Sequence, residues 1–514
     1  MAAQLQNITI SAPGFLGINT QDSPIGLDPA YASIADNCVI DQLGRVGARQ
    51  GYKEVTTNGA AVLGTSRGIE AVAEFIDRNN VTTVFSAGNL KIFTGTTTLT
   101  ECTLPVGYNI LDNNWKIVSF NNDVYFFQKS HAPLESVAGS STLTLLTSSG
   151  ANTPPQGNEV LAAYGRLWTC DLSSNKYTVY WSSLLAGNDW HGGSSGSVDL
   201  TTVWPNGYDE VVALAEHNNF LLVFGKKNII VYSGAQSPNS DLTLHDTIEG
   251  TGCIARDSIQ STGTDLIFLS SRGVMSLGRL LQQKSLPLGD ISKNVRTDLL
   301  NFVAIEAHSN GHREAIKAIY SPIHAFYLLT FPESKVVYCF DVRQPLENGS
   351  FRVTTWSSLE PTAFFMFADD SMYMGHDEGL VKYEGYLDGN VQYQLRYFSN
   401  ANDFQSPANL KFLKKFNLTI IGGQNTPTTL NWGYDYTSTY TKQEFTFGSS
   451  NIAEFGISEY NTDAEYTASI AIQTPKVNGT GSGSVVTIGI EAEINNAAFS
   501  IQKIDILALT GRLI

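Results

Sequence analysis

Phe220-Leu-Leu-Val-Phe224, Gly225-Lys-Lys-Asn228 and Ile229-Ile-Val-Tyr232 are two apolar runs around a four-residue polar turn. Short apolar runs bounded by Gly and Asn read as strands. Because they are continuous rather than alternating, both faces of each strand should be covered. The same unit recurs along the chain, beginning near Gly68, Trp115, Glu159, Glu210, Asp257, Ala315 and Pro361. Successive starts differ by 47, 44, 51, 47, 58 and 46 residues. A repeat of about 40–50 residues that holds up to four short strands is the size of a β-propeller blade. The spacing therefore predicts an all-β fold, a propeller of six or seven blades over residues 61–385. A β-sandwich with coincidental spacing is the competing reading.

Outward from these units the pattern changes. Residues 1–60 form a lead-in segment, where Asp28 as N-cap and Pro29 as first helical residue predict a short helix with Tyr31, Ile34, Ala35 and Cys38 on one face. The strand after it is expected to close the propeller by pairing with a late unit. A second helix is predicted from Ser292, with Val295, Leu299, Phe302 and Val303 on its stripe, and it accounts for the 58-residue step. Residues 136–158 and 187–202, rich in Ser, Thr and Gly, read as loop insertions. Residues 386–514 carry long β runs without a blade-sized repeat and are expected to form a separate β-sandwich-like domain, with Asn478-Gly-Thr-Gly-Ser-Gly-Ser484 as a hairpin tip.

Composition excludes whole classes. Of 514 residues, 42% are hydrophobic and 16% charged, which argues against extensive disorder. No apolar stretch approaches the roughly 20 residues of a membrane-spanning helix, so no stable membrane insertion is expected. The net charge is -16, and a sequence-reading DNA binder would need the opposite sign. Residues 1–385 contribute -13 and residues 386–514 contribute -3. The five cysteines, Cys38, Cys102, Cys170, Cys253 and Cys339, are dispersed and read as buried thiols rather than zinc ligands. The N-terminus shows neither a basic region nor an apolar one of the secretory type, so a cytosol-like compartment is expected. Asn-x-Ser/Thr triplets such as that at Asn80 then read as chance matches.

No catalytic, cofactor or metal motif emerges. His308 and His312 lie closest together among the histidines but flank Ser309-Asn310-Gly311, which breaks helical spacing. Asp369-Asp370 and Asp377-Glu378 are the densest acidic pairs; both fall at predicted turns, where Asp bonds its own backbone. Glycosidase or calcium chemistry there lacks the required pattern. Glu249-Gly-Thr-Gly-Cys-Ile-Ala-Arg-Asp-Ser258 has the glycines of a phosphate loop but not its lysine, and strand rather than helix follows. It reads as a structural turn, with Arg256 and Asp257 as an ion pair. No catalytic residue, no cofactor and no metal is assigned, and no enzymatic activity is expected.

Four stretches resemble the tail nozzle proteins of short-tailed bacteriophages, also called tail tubular or packaged-DNA stabilisation proteins. They are Asp28–Cys38 through Gly51-Tyr52; Gly165-Arg-Leu-Trp168 with Thr178-Val-Tyr-Trp-Ser182 and Asn188-Asp-Trp190; Gly250–Ser258 with Ser271–Met275, Leu286-Pro-Leu288 and Asn294-Val295; and Tyr338-Cys-Phe-Asp-Val342 leading to Trp356. The resemblance spans about residues 28–356. It implies a structural subunit of the virion tail, made in the host cytoplasm, that forms a homo-oligomeric ring, a hexamer. Such a ring retains the packaged genome and lets double-stranded DNA pass without specific binding. Tail adaptor proteins and tail fibre or spike proteins are the implied partners. The family brings no catalytic residues. A glycan-binding or glycan-cleaving propeller, and a host-type propeller scaffold, remain the alternatives from sequence.

Overall fold

The computed structural model describes residues 4–24, 26–64, 68–148, 153–282, 290–309, 313–437, 439–446 and 472–513. Consecutive strands pair into antiparallel sheets in chain order, four-stranded over Ile69–Glu101, Lys116–Leu145, Gly157–Asp199 and Val211–Ile248. A three-stranded sheet follows over Gln260–Ser276, then four strands over Lys317–Trp356 and a last sheet over Ala363–Tyr383. Around most of the ring the first strands of neighbouring sheets lie against one another, and Ala363–Met366 returns to Ile69–Ile76. The arrangement is a β-propeller with six four-stranded blades and one of three strands.

The local reasons are visible in the turns. Asn121-Asn122, Tyr164-Gly165 and Asn218-Asn219 each join the first two strands of a blade as a two-residue hairpin. All six have positive φ, between +48° and +68° except Asn122 at +72°. Such left-handed pairs match the right-handed twist of the flanking strands. Neighbouring blades then pack face to face: the rings of Phe85 and Phe126 are 5.2 Å apart, those of Phe127 and Trp190 6.0 Å, and those of Phe224 and Phe268 5.1 Å. At the closing seam Gly375 lies so near Ile69 that an added Cβ would stand 2.1 Å from its carbonyl oxygen. Only glycine fits there.

The lead-in segment closes the ring, as its position suggested. Tyr52–Glu54 pairs antiparallel with Gly379–Tyr383 as the fourth strand of the last blade. It is locked by Arg49, which is fully buried and donates to both carboxylate oxygens of Asp388, at 2.8 and 2.7 Å. The guanidinium also lies 4.1 Å from the centre of the Tyr393 ring.

The helix expected from Asp28 is not formed. Tyr31–Asp36 and Cys38–Ile40 are strands, the first paired with Tyr393–Ser399. Asp28 accepts the Ala30 amide in a tight turn instead of capping a helix. The spacing of Tyr31, Ile34, Ala35 and Cys38 fitted a helical stripe, yet Ile34 is 39% exposed. Pairing with a strand 360 residues away overrides the weak local preference. The second helix forms as expected: a single 3-10 turn, Lys293–Val295, leads into Arg296–Ser309, and Val295, Leu299 and Val303 are buried.

Three further expectations are corrected. Residues 136–158 and 187–202 are not simple insertions, because they contain Thr144–Leu145 and Gly196–Asp199, the outermost strands of two blades. Those strands are short and largely solvent-facing, so they carry no apolar signal. Residues 149–152 of the first stretch lie outside the described residues. The stretch from Asn478 is no hairpin tip: Lys476–Asn478 and Ser482–Gly483 pair with Asn409–Gly422.

Residues 386–514 do not form the self-contained unit expected. Their two sheets share a core in which the rings of Phe416 and Trp432 pack at a tilt, 5.4 Å apart. N-terminal strands complete both sheets. Gln4–Ser11 and Val46–Ala48 pair with Phe499–Leu513, while Tyr31–Asp36 inserts between Tyr393–Ser399 and the blade strand Arg352–Trp356. One ten-stranded sheet thus runs from a blade into the C-terminal region.

Candidate functional site

The first strands of the blades surround the propeller axis, and polar residues stand at or just before their starts. They are Glu70, Asn113-Asn114 with Lys116, Asn158-Glu159, Arg256-Asp257, and Glu314 with Lys317. Arg256 is at their centre and is 3% exposed. Its guanidinium reaches Asp257 at 2.9 Å, Asn114 Oδ1 at 2.9 Å and Asn158 Oδ1 at 3.1 Å, with the Asn158 carbonyl closer still. Glu159 lies 3.7 Å from its Nε. Lys317 donates to Asp257 at 2.6 Å and to Asn114 Oδ1. Lys116 bridges Asp257 at 3.2 Å and Glu159 at 3.5 Å. Asn158 passes the network on to Asp171 at 2.9 Å and Glu314 at 3.1 Å, and Lys129 and Lys176 pair with Asp171.

These contacts join the second blade to the fifth and sixth, and the third to the fifth and sixth, across the axis. The chain's own side chains bridge the centre of the ring at this level. Five cations and five carboxylates, counting Glu70, offset one another within a chain of net charge -16. Burial works against the charge of Asp257, but Arg256, Lys317 and Lys116 hold its carboxyl well below the usual range. Burial likewise opposes the charge of Arg256, and Asp257 and Glu159 keep it protonated. Burial depresses the Lys317 ammonium, with Asp257 acting in the opposite sense. Glu159 is different: burial pushes its carboxyl up to about 7, and Lys116 and Arg256 recover only part of the cost.

A pH dependence follows from Glu159. A carboxyl whose folded value is raised contributes stability below its unfolded value and loses it as pH rises through the folded one. Between about pH 5 and pH 8 the native protein should lose up to about 3 kcal/mol from this group. Glu159→Gln should flatten that slope, which equilibrium unfolding at a series of pH values would measure. An unchanged slope in the variant would assign the dependence elsewhere.

The segment before the fifth blade is the structural turn that its sequence suggested. Gly250 has φ +74°, and a Cβ on Gly252 would stand 2.2 Å from the Gly225 carbonyl oxygen. Arg256–Ser258 is a single 3-10 turn, and Arg256 and Asp257 form the expected ion pair. Sequence reading found that pair but not its partners at 114, 158 and 317. The available signal was the recurrence of Asn, Asp, Glu or Arg immediately before the first apolar strand of unit after unit.

The other residues singled out are scattered. Asp369 and Asp370 are exposed at a hairpin turn, where Asp369 accepts the Ser371 amide at 3.0 Å, and Asp377 and Glu378 occupy the next turn. His308 belongs to the helix Arg296–Ser309, while His312 lies outside the described residues. All five cysteines are buried and free. Leu286, Pro287 and Leu288 lie outside the described residues. Among the residues of the four stretches singled out in the sequence, Trp168 is fully buried with its ring 5.3 Å from that of Trp181, and Trp356 donates to the Cys38 carbonyl at 2.9 Å. Among the described residues, no helix is long and apolar enough to cross a membrane.

The chain is therefore a β-propeller protein whose axis is bridged by a buried ion network. No family model matches its sequence, and no curated protein matches it significantly. Among solved structures it is similar to the extracellular domain of a hybrid two-component system from B. thetaiotaomicron, at 10% identity and a TM-score of 0.30, over 67% of this chain and 41% of that one. The chain thus spans about two fifths of that domain. It is also similar to YCF48 bound to D1 peptide (13% identity, TM-score 0.36, 62% and 93% covered). The Neurospora crassa Pan2 WD40 domain is a third (7%, 0.35, 61% and 87%).

Proposed function

We propose that the chain is a structural subunit of a bacteriophage tail nozzle, assembled as a ring that continues the DNA channel, retains the packaged genome and releases it on ejection. The observation that carries this reading is the bridged axis. Blades on opposite sides of the propeller are braced by Arg256, Asp257, Asn114, Asn158 and Lys317, so DNA would run between copies in a ring and not through one propeller. The residues of the family resemblance support the same role, since Arg49, Trp168, Arg256 and Trp356 are buried parts of the frame. Tail adaptors and tail fibres or spikes would be its partners, and an acidic surface would let a polyanion pass without adsorbing.

The test is assembly. Six copies of the 55.9 kDa chain amount to about 335 kDa, and negative-stain imaging with mass photometry of the purified protein, with and without its adaptor, should show a closed ring of that mass. No sugar should be released from any polysaccharide offered. A stable monomer with saccharide activity would overturn the reading in favour of a glycan-acting propeller.

A further inference from the structure

The strand Gln4–Ser11 pairs with Phe499–Leu513 along its whole length without a bulge, and among the described residues no strand pairs with its other edge. Unpaired edges invite an added strand, and proteins usually blunt them with charge, bulges or brevity. The other outer edges follow that rule. Thr100–Glu101 and Thr144–Leu145 have two residues each, Thr243–Ile248 carries an aspartate and sits beside a bulge, and Thr441–Thr446 carries Lys442 and Glu444. Gln4–Ser11 has eight residues, no charge and no proline.

The backbone groups of the open edge can be assigned. Ala12 N–H donates to the Gln502 carbonyl, and bonding alternates along an antiparallel pair. Ile10, Ile8 and Gln6 therefore bond inward, and Leu5, Asn7 and Thr9 present N–H and C=O outward. The edge forms one wall of a groove of about 1040 Å³ whose far side is residues 26–30 and 401–405. The groove lining includes two carboxylates, Asp28 and Asp403, and no basic residue. Phe404 and Ile10, both nearly buried, supply an apolar floor.

We infer that this groove is a docking site for an extended segment of a partner protein, which adds as a strand to Gln4–Ser11 and alternates apolar with basic side chains. Main-chain bonds to Leu5, Asn7 and Thr9 give the affinity, and Asp28 and Asp403 select against acidic segments. This site does not depend on ring assembly, and its failure would leave the nozzle reading untouched.

The test uses the full-length protein and a fluorescein-labelled peptide of four Lys-Val repeats, with a Glu-Val counterpart. Saturable binding by anisotropy is expected for the lysine peptide, together with slowed hydrogen exchange at Asn7 and Thr9. Asn7→Pro and Thr9→Pro remove outward donors while sparing the backbone bonds to the last strand, although Thr9→Pro also gives up the hydroxyl bond to Asp505 at 2.6 Å, and each should weaken binding about tenfold with the fold intact. Asp28→Lys with Asp403→Lys should erase the preference for lysine over glutamate. The inference is overturned if neither peptide saturates, if the proline variants bind as well as the parent, or if the glutamate peptide binds equally. It is overturned too if the Asn7 and Thr9 amides are already protected in the free protein, since the chain would then fill its own edge. Protection that rises with protein concentration alone would assign the edge to a second copy and exclude the peptide partner.

Discussion

Arg256→Ala should destabilise the protein by about 3–5 kcal/mol, the usual consequence of leaving buried carboxylates without their partner. Asp257 and Glu159 would both lose the guanidinium, and Asn114 and Asn158 would lose a donor that ties two blades to a third. Lys116 and Lys317 remain nearby but cannot replace a planar fork that reaches four residues at once. Denaturant unfolding should show the loss as a lower midpoint. Arg256→Lys should recover only part of it. A variant that folds and assembles normally yet loses a measurable turnover would instead make Arg256 catalytic.

The second large effect is expected from deleting residues 1–60. That segment supplies the last strand of the closing blade, the Arg49–Asp388 pair, and strands in both C-terminal sheets. Its removal opens the ring at Gly379–Tyr383 and exposes the edges of Phe499–Leu513 and Tyr393–Ser399. Open edges of that length aggregate, so the deletion should be insoluble or lose its cooperative melting transition. A soluble deletion with unchanged melting would refute closure by this segment. Arg49→Ala is the milder version and should lower the melting temperature without opening the ring, because the strand Tyr52–Glu54 keeps its own pairing.

The blades were legible because each is built from neighbours in sequence. Pairs such as Asn218-Asn219 mark the hairpins, and continuous runs such as Leu221-Leu-Val-Phe224 mark strands covered on both faces. The outermost strands were not legible: both residues of Thr144–Leu145 are exposed and Gly196–Asp199 alternates exposed with half-buried residues, leaving no apolar pattern to read. The misread helix at Asp28 has the same origin from the other side, since the strand Tyr31–Asp36 is held by residues more than 300 positions away. The axial network was half legible. Arg256 and Asp257 are adjacent in sequence, but Asn114, Asn158 and Lys317 are brought to them only by closure of the ring.

The pairing of Gln4–Ser11 with Phe499–Leu513 also sets a timetable for synthesis. At about 5–20 residues per second, some 25–100 seconds separate the emergence of these two strands from the ribosome. Throughout that interval the lead-in strands have no partner, and Tyr52–Glu54 must wait for residues 379–383 before the propeller can shut. The blades can form one after another as they appear, but the first 50 residues fold last. A nascent chain arrested before residue 379 should therefore carry an open propeller with a protease-sensitive N-terminal segment.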